Sequence, residues 1–416
     1  MFLLQFPIHF MLSNFFPFNL FKKLDSNSKI RFLIGGVVVL IFQIWSTYKG
    51  EGVAKTFDSL AYLKAAENLA LNQKFIQGQS YTTWALGFPF LLIFFKDSIF
   101  LNILCILGMY IFYFDLTQKL FQKIHTRWWL TLAFAFSTPI YLIHHFVWSE
   151  APFLLFLMGS IWAFYYLSYS NESKIDNHID LKKLFLFCLF GFLFMSMRNA
   201  GLYFIVALCS GIILLYILPL FYVAKKNNLS FIYQNIYFKI LLCFSISSLP
   251  SIFLWWLHAK PKTVGTFATM YSLAERTFLE ECLNYGDILS RWLVPPSIPL
   301  VIRIFLLIVF LITFLVLFIK PLLSYFFTKE YINKNTNFIL FIFWITSFYL
   351  LGMLISRAGM KVDAERYLAI LYPFLCLLIG FILDKLKAND YLKYGIAFLW
   401  LAYPFLRTIK NILFWN

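Results

Sequence analysis

Charge is scarce in this chain of 416 residues: Asp, Glu, Lys and Arg make up 13%, about half their usual share in a water-soluble domain. That shortage excludes a soluble core wrapped in a solvated surface. Cysteine motifs are lacking too. Cys105, Cys188, Cys209, Cys243 and Cys376 fall in apolar runs and Cys282 stands alone in a polar stretch, so neither a disulfide framework nor a zinc site is implied. The chain has no glycine-rich phosphate loop, no G-x-S-x-G, no H-E-x-x-H and no internal repeat, which removes the nucleotide-loop, serine-hydrolase, zincin and solenoid classes. The opening stretch MFLLQFPIHFMLSNFFPFNLFKKL lacks both a basic start and a small-residue cleavage site, and the expectation is therefore no removable signal peptide. The formal charge is +16, yet no basic stretch forms a continuous face, so nucleic acid is not an expected partner.

What is abundant is apolar sequence, 61% of the chain with a mean hydropathy of +0.77. The runs do not alternate with a period of two. In hydrocarbon the backbone must satisfy its own polar groups, so such runs are helices rather than barrel strands. At about 20 residues per crossing, the fold class is an all-α polytopic integral membrane protein of about 11–13 transmembrane helices, with amphipathic helices on the outer face. Expected spans are 31–48, 98–117, 128–147, 151–169, 183–200, 202–223, 237–257, 298–319, 337–355, 366–385 and 393–412. Short cytoplasmic loops collect Lys and Arg. Lys119, Lys123, Arg127, Lys225, Lys226, Lys320 and Lys385 then lie inside. Residues 1–30 form a cytoplasmic interfacial segment, and 31–412 a single transmembrane domain with long outer loops at 49–97 and 258–297. The stretch 82–95 is apolar but short for a crossing, and is expected to be re-entrant or interfacial.

The candidate functional residues gather at the outer ends of these spans. Asp58 opens an amphipathic stretch, and Tyr62, four residues on, shares its helix face. Asp58 either caps that helix or looks at a ligand. Glu150 sits between two long apolar helices, with Pro152 in the tolerated first turn of the second. A carboxylate at that depth is paired, hydrated or used, or it simply favours the positive end of the helix dipole. His144 and His145 are adjacent, so their side chains diverge by about 100° and at most one serves the same site as Glu150. Arg198 ends a span beside a tight turn. Arg357, Lys361 and Arg366 surround Asp363 and Glu365 before another long helix, as a self-neutralised loop or as an anion site in which a guanidinium grips phosphate with two hydrogen bonds. In loop 258–297, Leu273, Phe278, Leu279 and Leu283 fall on a rough helical face that is expected to cover the outer cavity.

Five of these segments, F-D-S-x-x-Y at 57–62, L-G-F-P-F-L-L at 86–92, W-S-E-A-P-F-L-L-F at 148–156, R-N-A-G at 198–201 and E-R-Y-L-x-x-x-Y-P-F at 365–374, follow one another over roughly residues 30 to 380. In that order they resemble the GT-C superfamily of polyprenyl-phosphate-dependent membrane glycosyltransferases, such as protein O-mannosyltransferases and aminoarabinose transferases. The resemblance implies an inverting transfer of a sugar from a polyprenyl-phosphate donor to a hydroxyl of a glycan, lipid or protein acceptor. It carries the essential acid of the first outer loop to Asp58, as the base or its orienting partner, and a second acidic position to Glu150, which would position the acceptor or share a metal. Arg366, with Arg357 and Lys361, would face the phosphate. Tyr62 would contact the sugar, Arg198 and His144 would complete the substrate site, and the many Phe side chains would hold the prenyl chain. The chain departs from the family by placing one acid at each point rather than a D-x-D pair, so a divalent cation is left open. The setting implied is a bacterial inner membrane with the site facing outward. The alternative is a multi-pass transporter or lipid flippase, whose ligand groups would sit near the midplane on broken, repeated helices.

Overall fold

The computed structural model describes residues 21, 24–49, 53–71, 85–95, 98–170, 179–219, 235–259, 277–323, 333–356 and 364–414. Most of the expected interfacial segment 1–30 lies outside them. Within the described residues the regular structure is helical, and one isolated parallel bridge joins Ala54 to Phe146. Six helices are long and apolar enough to cross a membrane: α1 (Ser26–Lys49), α4 (Ser98–Leu120), α7 (Glu150–Ser170), α10 (Ile236–Ala259), α12 (Leu300–Leu323) and α13 (Lys334–Ser356). The chain is an all-α, multi-pass membrane protein. α12 shows the lipid face most plainly, since Val301, Phe305 and Val316 are all exposed, which in water would be an aggregation surface and in a bilayer is the favoured arrangement.

Three stretches expected as single spans are each two helices. Residues 128–147 divide into α5 (Ile124–Ala135) and α6 (Thr138–His145), 366–385 into α14 (Ala364–Ala369) and α15 (Tyr372–Lys385), and 393–412 into α16 (Asp390–Trp400) and α17 (Ala402–Phe414). Pro139, Pro373 and Pro404 follow the breaks closely, and proline removes an amide from the preceding turn. Ser137 then caps α6 by accepting from the amide of Ile140. The carbonyls near the first break are satisfied within the protein: Phe136 accepts from Thr408, Ala135 from Tyr141 and Ala133 from Tyr372. The remaining inner helices are α8 (Leu181–Met197) and α9 (Gly201–Ile212), which runs on into a π-helical turn, Ile213–Ile217.

Among the described residues phenylalanine is used mainly as packing between helices. Phe114, Phe153, Phe164, Phe187, Phe204 and Phe374 are completely buried. Several fill spaces that glycine leaves: a Cβ at Gly191 would meet the Phe244 ring, and one at Gly211 would fall 2.8 Å from Phe341. In lipid no hydrophobic force separates helix from solvent, so close van der Waals contact of this kind is what holds helices together.

Three further helices lie at the end of the bundle that carries Glu150. α2 (Phe57–Ala70) packs on α3 (Gly87–Phe94). α3 has eight residues, about 12 Å at the helical rise and too short to cross. It abuts the end of α8, where a Cβ on Gly87 would meet the carbonyl oxygen of Ser196 at 2.6 Å. α11 (Phe278–Leu293) starts on a capping box of Thr277 and Glu280 and lies against α12 and α14. Its Phe278, Leu279 and Leu283 are exposed, while Tyr285, Ile288 and Trp292 turn inward. The face expected to cover a cavity therefore faces outward, because apolar residues at helical spacing are as well placed against lipid as against protein. Leu273 and the rest of 260–276 lie outside the described residues.

Candidate functional site

The Ala54–Phe146 bridge brings the first outer loop onto the second. The amide of Ala54 donates to the His145 carbonyl (3.1 Å) and the amide of Val147 to the Ala54 carbonyl (3.3 Å). Two residues on, Thr56 is the N-cap of α2: its hydroxyl accepts from the Ser59 amide while Ser59 accepts from the Thr56 amide. The Trp148 indole also donates to the Thr56 hydroxyl at 2.9 Å. Thr56, not Asp58, is thus the cap, and the Asp58 carboxylate is left for other work in the first turn.

That carboxylate meets Arg366. Nη1 of Arg366 donates to Oδ2 of Asp58 at 2.7 Å, while its Nε and Nη2 form a two-point bond with Glu150, Nη2 to Oε2 at 3.1 Å. Arg198 pairs with Glu150 Oε1 from the other side. Glu150 is completely buried and Arg366 nearly so, whereas about a third of the Asp58 side chain is open, 32%. Four chain segments thus supply one network with Asp58 at its rim. A buried carboxylate held by two guanidinia with hydrogen bonds is the arrangement that makes burial of charge tolerable. The Arg366 guanidinium also stacks on the Trp148 ring at 4.0 Å and the Arg198 guanidinium on the Tyr367 ring at 4.8 Å, which fixes both forks.

Each residue is placed by its local structure. Glu150 begins α7, where the helix dipole favours an anion. Arg198 ends α8 in extended conformation, and the tight turn after it returns at Gly201, where a Cβ would lie 2.9 Å from the Met195 Cα. Arg366 lies on the short helix α14. Tyr62, one turn beyond Asp58, is buried, and its hydroxyl lies 3.2 Å from Ser149 Oγ, which donates to Glu150 Oε2 at 3.4 Å. Burial, followed by the Glu150 charge, pushes the Tyr62 hydroxyl up to about 12, so it stays protonated.

Asp58, Tyr62, Glu150, Arg198 and Arg366 therefore stand together. His144 does not join them. Its Nδ1 bonds the Ile140 carbonyl on its own helix, and its backbone carbonyl accepts from Gln43 and Asn102, a structural position between α1, α4 and α6. Arg357 and Lys361 lie outside the described residues, as does Asp363. Glu365 does not neutralise Arg366; it accepts from Arg407 (2.6 Å) and from the Trp292 indole (3.1 Å). The sequence did not single out Trp148 and Tyr367 as part of the site. Each is close in sequence to a charged residue of the network, and an aromatic so near a buried arginine was the available signal.

A divalent cation does not fit this donor set. Both carboxylates are already engaged by guanidinia, and a dication between them would face two fixed positive charges. Among the described residues no group of three or more His, Cys, Asp or Glu is placed to hold a metal. No protein-family model matches the chain, and no curated protein matches it.

Proposed function

We propose that this protein is an inverting glycosyltransferase acting at the outer face of a bacterial cytoplasmic membrane, moving a sugar from a polyprenyl-phosphate donor to a hydroxyl of a glycan, lipid or protein. The observation that carries this reading is the shared arginine: Arg366 bonds an exposed acid from the first loop and a buried acid from the second. In the reaction the acceptor oxygen attacks the anomeric carbon, the bond from that carbon to the phosphate oxygen breaks, and the hydroxyl proton passes to Asp58. The leaving polyprenyl phosphate gains negative charge. Arg366 and Arg198, held rigidly by Glu150 and by aromatic faces, stabilise that charge without reorganising. Two guanidinia and two carboxylates sum to zero. A donor phosphate can therefore take Arg366 Nη1 from Asp58, and the same exchange frees Asp58 to act as base.

The apolar half of the donor also has somewhere to go. An apolar cavity lined by Leu289, Trp292, Phe310, Leu350, Leu375 and Trp400 opens between α11, α12, α13 and α15, and Tyr372, six residues after Arg366, is on its wall. The broken helices favour transport as a second reading, since transporters bind ions on unwound carbonyls. Here the carbonyls near the α5–α6 break are occupied by Thr408, Tyr141 and Tyr372, which weakens it. Proteoliposomes supplied with a labelled polyprenyl-phosphate sugar and a mixture of envelope acceptors distinguish the two. The proposal expects label to appear in an acceptor, and movement of the intact lipid across the bilayer without transfer would replace it with a flippase.

A further inference from the structure

At the other end of the bundle a buried guanidinium leaves both of its terminal nitrogens without a hydrogen bond. Arg31, near the start of α1, is 2% exposed, and neither Nη1 nor Nη2 has a hydrogen-bond partner. Its plane rests on the Phe114 ring at 4.5 Å, which recovers part of its lost hydration but uses none of its N–H groups. One helical turn beyond Phe114, Gln118 has a buried Nε2 that also lacks an acceptor. Arg127, at the start of α5, comes to the same place. Its Nη2 donates to the Gln118 carbonyl at 3.1 Å and its Nε to the Phe121 carbonyl, and its charge acts on Arg31.

No carboxylate bonds these cations, although the charge of Asp25 acts on both from a distance and that of Asp384 on Arg127. Asp25, the nearest acid on the α1 side, is exposed to solvent beside Ser28, and Asp384 is bonded by the Thr126 hydroxyl. Among the described residues neither arginine has an acid within ion-pair distance. Donors gathered in a buried position with no acceptor are a site awaiting one. Fifteen residues separate Arg31 from Ser46, whose hydroxyl meets His145 beside the Glu150 network. At the helical rise that is about 22 Å, so the two places are distinct.

We propose that Arg31, Gln118 and Arg127 form a phosphate-binding site at the end of the bundle opposite Asp58 and Glu150. A tetrahedral phosphate offers acceptors in several directions, which suits the planar fork of Arg31 together with an amide approaching from another helix. This end also carries Lys119 and Lys123, and basic residues at a bilayer surface concentrate anionic headgroups. The phosphate is therefore that of an anionic lipid headgroup or of a soluble phosphate. The site does not depend on the glycosyltransferase reading.

The test uses the full chain, delipidated in neutral detergent, with thermal unfolding followed during two titrations, one with inorganic phosphate and one with phosphatidylglycerol. A saturable rise in Tm is expected in at least one arm, because a ligand that binds only the folded state stabilises it. A rise with phosphatidylglycerol alone assigns the headgroup, and a rise with phosphate assigns a soluble ligand. Arg31→Met removes a charge that has no partner, so in phosphate-free detergent it should melt no lower than wild type and should lose the rise. Arg31→Lys keeps the charge without the fork and should weaken binding at least about tenfold; it serves as the variant if the Met form cannot be purified. No rise in either arm, or an equal rise in the variant, overturns the site.

Discussion

Thr56 caps α2, which leaves the Asp58 carboxylate to Arg366, and the two roles separate by mutation. Thr56→Ala removes an N-cap and should cost about 1 kcal/mol of stability, measured by thermal unfolding in detergent, whereas Asp58→Asn should leave the melt nearly unchanged. Glu150 behaves differently, since among the described residues it is the only carboxylate that touches both arginines. Replacing it with Gln leaves the buried Arg198 without an acid and Arg366 with Asp58 alone, and breaking such a pair costs about 3–5 kcal/mol. Glu150→Gln should fold poorly, and adding Arg198→Met to it should restore part of the loss. Equal stability of Glu150→Gln and wild type would mean that solvent reaches the network. These acids and arginines were individually legible in the sequence, because charges at the ends of apolar helices are expensive and rare. Their pairing was not: 308 positions separate Asp58 from Arg366, and no local pattern reports a contact at that range. Which residue caps α2 was equally hidden, since Thr56 and Asp58 are both good caps.

At the scale of elements, apolar runs report where the chain is in lipid but not whether the helix is continuous. The breaks at 136–137, 370–371 and 401 fall inside runs that read as single spans, and they depend on Pro139, Pro373 and Pro404 together with hydroxyls such as Thr408 arriving from distant helices. α11 departs from its sequence pattern for a related reason. Periodicity gives a helix its apolar face but not what covers it, and Phe278, Leu279 and Leu283 are exposed. α3 supports the site from behind through its contact with α8, and Gly87 is the contact point. Gly87→Ala places a methyl against the Ser196 carbonyl oxygen, and overpacking of this kind costs about 1–3 kcal/mol. The effect should appear both as a lower Tm and as slower sugar transfer, because α8 also carries Arg198. A Tm equal to wild type would show that α3 can shift without disturbing α8.

For the whole molecule, Asp58, Glu150, Arg198 and Arg366 share one end of the bundle and Lys119, Lys123 and Lys385 the other. If the lysine-rich end is cytoplasmic, a cysteine introduced at the exposed Gln122 in a cysteine-free background should react only after the membrane is permeabilised. One at the exposed Lys55 should react in intact cells. The reverse pattern would invert the protein and place the carboxylate network inside.

The most direct measurement of the central claim is initial-rate sugar transfer by Asp58→Asn, with a polyprenyl-phosphate sugar as donor and stability followed in parallel. The substitution keeps the size of the side chain and an oxygen for Arg366 but removes most of the basicity. If Asp58 takes the acceptor proton, kcat falls by roughly 10² to 10⁴, the range for a positioned general base, while Tm stays within a degree or two of wild type, as expected of a position that caps nothing. Transfer at the wild-type rate by a folded Asp58→Asn protein would contradict the assignment of Asp58 as the base.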